Sequence, residues 1–294
     1  MRFGFAILNH SGPRQLLRLG RTLKTLFPDS AVVCHHDFSQ CRLSVGDYSG
    51  VMDFVLPSHV TKWGHFSVLG AAISGIRQLM AAGGIDWFFL ISGTTYPIKS
   101  REKFVTAVNS LDADAAISAT PIHRKSSKES GHWLDEELRS RYLRLRVVAP
   151  TLDENGMIRR CVRCLPDWRL FRPFLPYSQN CRPYYGSHYF SGNAQTAKMI
   201  VDSPKNFQRL FRHMRNTPLP EEHFYHTVIA NTSGLRWVSD DHHYIKWINQ
   251  GAHPKELDSS DFEEICSTPA LWARKIIEGR DGGLLNSIDE CILR

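Results

Sequence analysis

Apolar residues in this chain gather in short unbroken runs, and stretches of helical spacing separate the runs. Phe3 to Leu8 predicts a first strand, and Leu16, Leu19, Leu23 and Leu26 recur on one face of a helix predicted over 15–27. Ala31 to His35 predicts a second short strand ending in His36 and Asp37, which completes a βαβ unit with a right-handed crossover. Val51 to Leu56 predicts a third. A helix follows from Ser67 to Met80, with Val68, Leu69, Ala72, Ile76 and Leu79 facing inward and Gly83-Gly84 ending it.

The longest apolar run, Trp87 to Ile91, has no polar break and suits a strand buried on both faces of a parallel sheet. Ser92-Gly93-Thr94-Thr95 follows at its carboxyl end, where open α/β sheets hold their ligands. A helix over 100–111 and a strand over 115–119 come next. The region 121–185, rich in Arg, Ser, Pro and Trp with little periodicity, predicts a loop-rich insertion suited to acceptor contacts. Regularity returns with a strand at 186–192 and helical segments from Ala194 and Pro204. A helix opened by Pro220-Glu221-Glu222, strands over 235–238 and 243–248, and a helix pair from Ser260 complete the chain. The whole predicts an α/β fold, a Rossmann-like mostly parallel sheet flanked by helices in one domain over 1–294.

Composition narrows the function without naming it. The net charge of +7 is spread along the chain, and no interleaving of aromatic and basic residues favours nucleic acid. No stretch approaches the roughly 20 apolar residues of a membrane span, so no transmembrane segment is expected and peripheral membrane contact stays open. Seven cysteines, an odd number, do not form a disulfide framework, and a cytoplasmic location is the expectation.

Dinucleotide, P-loop and zincin signatures are all absent. Cys161-Val-Arg-Cys164 is a lone CxxC with Cys181 nearby, which falls short of a zinc set, and idle thiols are the better reading. His223 and His226, one turn apart, read as structural histidines. Glu221 and Glu222 follow Pro220 in a predicted first helical turn, where acids complement the dipole; the alternative is that one of them is a general base at a cleft.

Taken in order, several motifs resemble the core-2/I-branching β-1,6-N-acetylglucosaminyltransferases, glycosyltransferase family 14, whose relatives include peptide O-xylosyltransferases. They are Phe5-Ala-Ile-Leu-Asn-His10 with Gln15-Leu-Leu-Arg-Leu19, Cys34-His-His-Asp37, Trp63-Gly-His-Phe-Ser-Val-Leu-Gly-Ala71, Trp87 to Lys99, Gly186-Ser-His-Tyr-Phe-Ser191, Pro220-Glu-Glu-His-Phe224 and Leu271-Trp-Ala-Arg-Lys275. The matches run from residue 5 to about 277, leaving mainly 121–185 unmatched.

The resemblance implies a GT-A-type fold and inverting, metal-independent transfer of N-acetylglucosamine from UDP-GlcNAc to a hydroxyl of a saccharide acceptor. UDP-xylose as donor, or a non-catalytic sugar-nucleotide-binding or carbohydrate-binding protein, are the alternatives. It implies Glu222 as the catalytic base, with Glu221 left to cap the helix. Lys275, Lys246 and Arg274 are implied as diphosphate contacts, Asp37 and Trp63 as uridine contacts, and Ser92, Gly93 and Thr95 as the floor under the donor sugar. No cofactor and no metal site are expected, the UDP-sugar being a substrate, and Asp240-Asp241 reads as a turn. Thr95 stands where the family typically has Asp, which leaves the donor sugar open.

Overall fold

The computed structural model describes residues 1–123, 132–152, 157–248, 253–279 and 282–293. Among these, seven strands form one sheet in the spatial order Trp237–Val238, Ala115–Ile117, Phe190–Asn193, Trp87–Ser92, Phe3–Asn9, Ala31–His36 and Asp53–Phe54. Phe190–Asn193 runs antiparallel to both neighbours, and the other six strands share one direction. The expected mostly parallel sheet with helices on both faces is therefore what the chain forms.

Two cores divide across this sheet because side chains alternate along each strand. From the central strand, Trp87, Phe89 and Ile91 join Phe3, Phe5 and Ile7 beneath the helices Pro13–Leu26, Arg101–Asn109 and Gly282–Ile292. Phe88 and Leu90 point the other way, into a core closed by Phe66–Ala81, Ala194–Asn206 and Phe224–Ala230. The Phe5 and Phe89 rings stack at 5.8 Å, and Trp272 packs edge-on against Phe5, Phe89 and Phe104. Trp272 belongs to a second, three-stranded sheet of His243–Ile245, Trp272–Arg274 and Tyr96–Pro97. Anchoring Trp272 in the core fixes where Arg274, two residues on, emerges.

Several elements differ from expectation, each for a local reason. The third strand shrinks to Asp53–Phe54, and the segment 121–185 is more ordered than its aperiodic sequence suggests. It holds a helix, His132–Tyr142, and an antiparallel pair, Arg146–Leu152 with Ile158–Cys164; residues 124–131 and 153–156 of the insertion lie outside the described ones. Leu138 and Tyr142 bury in a small separate cluster with Ile122 and Leu143, a stripe too short to register as periodic. Val147 and Val148 are both exposed although they face opposite sides of the strand pair, so no alternation of apolar and polar positions arises.

Pro204 does not start a helix; it sits near the end of Ala194–Asn206. The proline has no N–H for the Ile200 carbonyl, and Ser203 Oγ donates to that carbonyl instead at 2.6 Å. Pro220–Glu222 forms a 3₁₀ turn ahead of a seven-residue helix, Phe224–Ala230, rather than the first turn of that helix.

Candidate active site

The parallel strands end together, and a cavity of about 710 Å³ opens there. Asn9 ends the first strand and His10 follows it into the wall, His35 is the last residue but one of the second, and Ser92, Gly93 and Thr94 carry the central strand out along the floor. The antiparallel strand enters from the same side, so Gly186 to Tyr189 form the facing wall. Two glycines permit this closeness: a Cβ at Gly93 would collide with Asn9 Oδ1, and one at Gly186 with the Ser118 carbonyl. The volume falls within the range of small-molecule sites.

Glu222 reaches this cavity from the 3₁₀ turn. Its backbone carbonyl accepts from Gly186 N at 2.9 Å, while Leu219 N donates to the Gly64 carbonyl, so the turn is tied to two neighbouring segments. The carboxylate side chain is 36% exposed, open enough for a ligand to touch. Arg141 Nη1 lies 3.5 Å from Glu222 Oε2, and its Nη2 pairs with Glu137. Burial pushes the Glu222 carboxyl above the usual carboxylate range, and Arg141 and Arg274 pull it part of the way back.

His223 and His226 hold the neighbouring backbone. His223 stacks on Tyr142 at 4.5 Å, and its Nε2 lies 2.8 Å from Tyr177 Oη. His226 Nε2 donates to the Ser187 carbonyl at 2.9 Å, and burial pushes its pKa down to about 3, so it stays neutral. Both behave as the structural histidines expected.

Of the residues singled out from sequence, Glu222, Arg274, Trp63, Ser92 and Gly93 line the cavity together. Arg274 sits 4.8 Å over the Tyr189 ring, and its Nε has no partner among the described residues. Trp63 stands at the rim, 70% exposed, with its ring 6.1 Å from that of His253.

The other four stand apart from the lining. Lys275 Nζ donates to Glu256 at 2.9 Å. Lys246 Nζ donates to Asp261 at 3.0 Å and Glu264 at 2.7 Å. Each lysine is held by carboxylates of the 256–264 segment. Thr95 is fully buried under the floor, its Oγ1 3.1 Å from Ser92 Oγ. Asp37 is buried too, and its carboxylate accepts from Ser39 N and Oγ, Gln40 Nε2, and Thr61 N and Oγ1.

Asp37 thus braces Gln40 and Thr61, which do line the cavity. Burial alone would raise its pKa; the hydrogen bonds from Ser39, Thr61 and Gln40 outweigh it and hold the carboxyl far below its ordinary value. Asp37→Asn is expected to cost about 1–3 kcal/mol at pH 7, because an amide leaves donors of the 39–61 loop unpaired. A depressed acid contributes stability above its unfolded pKa and loses it as pH falls, so the deficit should shrink below pH about 4. Thermal unfolding of both proteins between pH 3 and 7 checks this.

Asp240 and Asp241 each accept from the backbone N–H two residues on, as in a turn, and Asp241 also touches the cavity. Among the described residues no group of three His, Cys, Asp or Glu side chains is placed to hold a metal ion. Cys161 and Cys164 are exposed thiols. Arg141, His188, Tyr189 and Trp247 did not stand out as site residues in the sequence. His188 and Tyr189 lie inside the Gly186–Ser191 motif and Trp247 follows Lys246, so all three could have been found from those positions, whereas nothing near Arg141 signals a partner 81 positions away.

Three comparisons bear on this geometry. A family model described as core-2/I-branching enzyme matches residues 35–267. A β-glucuronosyltransferase of Arabidopsis thaliana, GlcAT14B, is 24% identical over 321 residues, a match covering 99% of this chain and 66% of that protein. The chain thus spans about two thirds of that relative's length. Among solved structures, the inositol-1-phosphate CTP transferase from T. maritima aligns over 99% of this chain and 98% of its own at 11% identity and a TM-score of 0.38. The 4-diphosphocytidyl-2C-methyl-D-erythritol synthase from Anaerococcus prevotii aligns over 70% and 77% at 14% identity and a TM-score of 0.35.

Proposed function

The chain belongs to the core-2/I-branching enzyme family, and on that premise we propose that it is an inverting glycosyltransferase moving a sugar from a UDP-sugar to a hydroxyl of a saccharide acceptor. The observation that carries this reading is the meeting of Glu222 and Arg274 on one cavity. In the transfer, the acceptor oxygen attacks the anomeric carbon as the bond from that carbon to the diphosphate oxygen breaks. Glu222 takes the hydroxyl proton, and its burial makes it a stronger base than a free glutamate. The leaving diphosphate gains charge, and Arg274 supplies fixed positive charge beside it, oriented by the Tyr189 ring. Trp63 offers an exposed face for the uracil ring, and Ser92 and Gly93 a close floor for the sugar.

Lys275 and Lys246 enter this scheme by leaving their carboxylate partners for the diphosphate, and Asp37 by bracing the loop of Gln40 and Thr61. Metal independence belongs to the same proposal and rests on the resemblance to the family. The cytoplasmic setting is part of it as well, and it rests on the odd cysteine count; no helix among the described residues is long and apolar enough to cross a membrane.

N-acetylglucosamine is the proposed donor sugar. The name of the Arabidopsis relative favours glucuronic acid as a second reading. UDP release from UDP-GlcNAc, UDP-xylose and UDP-glucuronic acid, assayed with oligosaccharide acceptors with and without EDTA, decides among them. Turnover of UDP-GlcNAc that survives EDTA is the expected result. Activity restored only by added manganese overturns the metal-free part, and UDP binding without turnover of any donor favours a sugar-nucleotide-binding protein.

A further inference from the structure

One wall of the cavity gathers polar atoms that the fold leaves without partners. Glu221 Oε2, Tyr225 Oη, His188 Nε2 and Arg274 Nε are each buried and lack a hydrogen-bond partner among the described residues. They are neighbours: the His188 ring stacks on Tyr225 at 6.2 Å and on Tyr189 at 5.0 Å, and Arg274 covers Tyr189. Glu221, His188 and Arg274 all line the cavity. A native fold leaves only a few such atoms unmatched per hundred residues, because each costs about 1–3 kcal/mol. Three of the four belong to residues of one cavity wall, where a bound ligand could complete the hydrogen bonding.

Glu221 is the most informative of them. A residue that merely complements a helix dipole sits in solvent at the first turn, yet Glu221 is 5% exposed and precedes a helix of only seven residues. We propose that Glu221 is a ligand-contacting carboxyl, hydrogen-bonded to an oxygen of the sugar that binds beside Glu222. The role rests on the transferase reading above and adds a second functional acid to it.

Protonation makes the two neighbours complementary. Burial pushes the Glu221 carboxyl up to about 8; its own backbone N–H lowers it, the adjacent Glu222 charge raises it further, and Arg141 lowers it. Tyr142 and Tyr225 beside it remain neutral phenols, and burial keeps the neighbouring His188 neutral, its pKa pushed down to about 3. At neutral pH Glu221 therefore donates a proton in a hydrogen bond to the sugar oxygen, while Glu222 stays the acceptor of the transferred proton. Two adjacent carboxyls whose surroundings separate their pKa values divide the roles of donor and base.

The test compares Glu221→Leu and Glu221→Gln with the wild-type chain, following kcat/KM for the active UDP-sugar from pH 6 to 9.5, with thermal unfolding of each protein to confirm folding. Glu221→Leu should lose about 10- to 100-fold in kcat/KM, the loss expected where a site's polar partner is removed. Glu221→Gln, whose amide still donates, should recover most of that loss. Wild-type kcat/KM should fall as pH rises through about 8, where the donor becomes an anion, and this fall should be absent in Glu221→Gln. A Gln variant as impaired as the Leu variant, or one that keeps the alkaline fall, overturns the role of Glu221 while the transferase reading stands. A wild-type chain that turns over no donor overturns both.

Discussion

Glu222→Gln is expected to lower kcat by about 10²- to 10⁴-fold, the range a positioned general base contributes, while leaving UDP affinity nearly unchanged. Glutamine keeps the volume of the side chain and an oxygen for Arg141, so the Pro220–Glu222 turn and its tie to Gly186 should survive. What disappears is the ability to take the acceptor proton. Because a base acts on the barrier rather than on donor affinity, the loss should fall in kcat with KM little changed. The wild-type pH profile gives a second reading of the same group. Glu222 works only as the carboxylate, so activity should drop as pH falls through a value raised above that of a free glutamate by burial. Single-turnover kinetics with UDP titration measures both, and a Gln variant that turns over normally removes Glu222 from the chemistry.

Arg274→Ala should weaken UDP binding and lower kcat/KM by about 10²- to 10³-fold, as removal of one donor aimed at developing charge does. The guanidinium is held over Tyr189 with its Nε free, a donor already in place before the leaving group forms. Lys275→Ala and Lys246→Ala should have smaller effects, because both ammonium groups are bound to Glu256, Asp261 or Glu264 and must first give up those partners. Calorimetric UDP titrations of the three variants rank them. Unchanged UDP affinity in Arg274→Ala, or a larger loss in Lys275→Ala, would reverse the assignment and return the diphosphate to the lysine.

The two charge assignments differ in how well the sequence exposed them. Glu222 was visible because Pro220-Glu-Glu-His-Phe224 is a contiguous motif, and contiguity survives folding. The proposed diphosphate contact was less so. Arg274 and Lys275 are adjacent in a motif, and only the short sheet that seats Trp272 in the core sends Arg274 into the cavity while Lys275 meets Glu256. Thr95 looked like part of the floor from its place after Ser92 and Gly93, yet the chain turns it beneath the surface, where it bonds to Ser92. Glu221 read as a cap because helix-end rules treat acids at such positions alike; its 5% exposure was not written in its neighbours.

By itself the sequence determined the strand and helix frame, since periodicity, glycine and proline act over a few residues. The unbroken run from Trp87 to Ile91, the leucine face of Pro13–Leu26 and the glycines beside the cavity specify local geometry wherever the chain goes. The tertiary structure decided which charges meet. Arg141 comes from an insertion without legible periodicity, Glu222 from a turn 81 residues later, and Arg274 from a separate sheet. Their effect on one another depends on distance and burial, and both are products of packing. Burial in particular separates two consecutive glutamates, one 5% exposed and the other with its side chain 36% exposed, a distinction that a pair of identical letters could not hold.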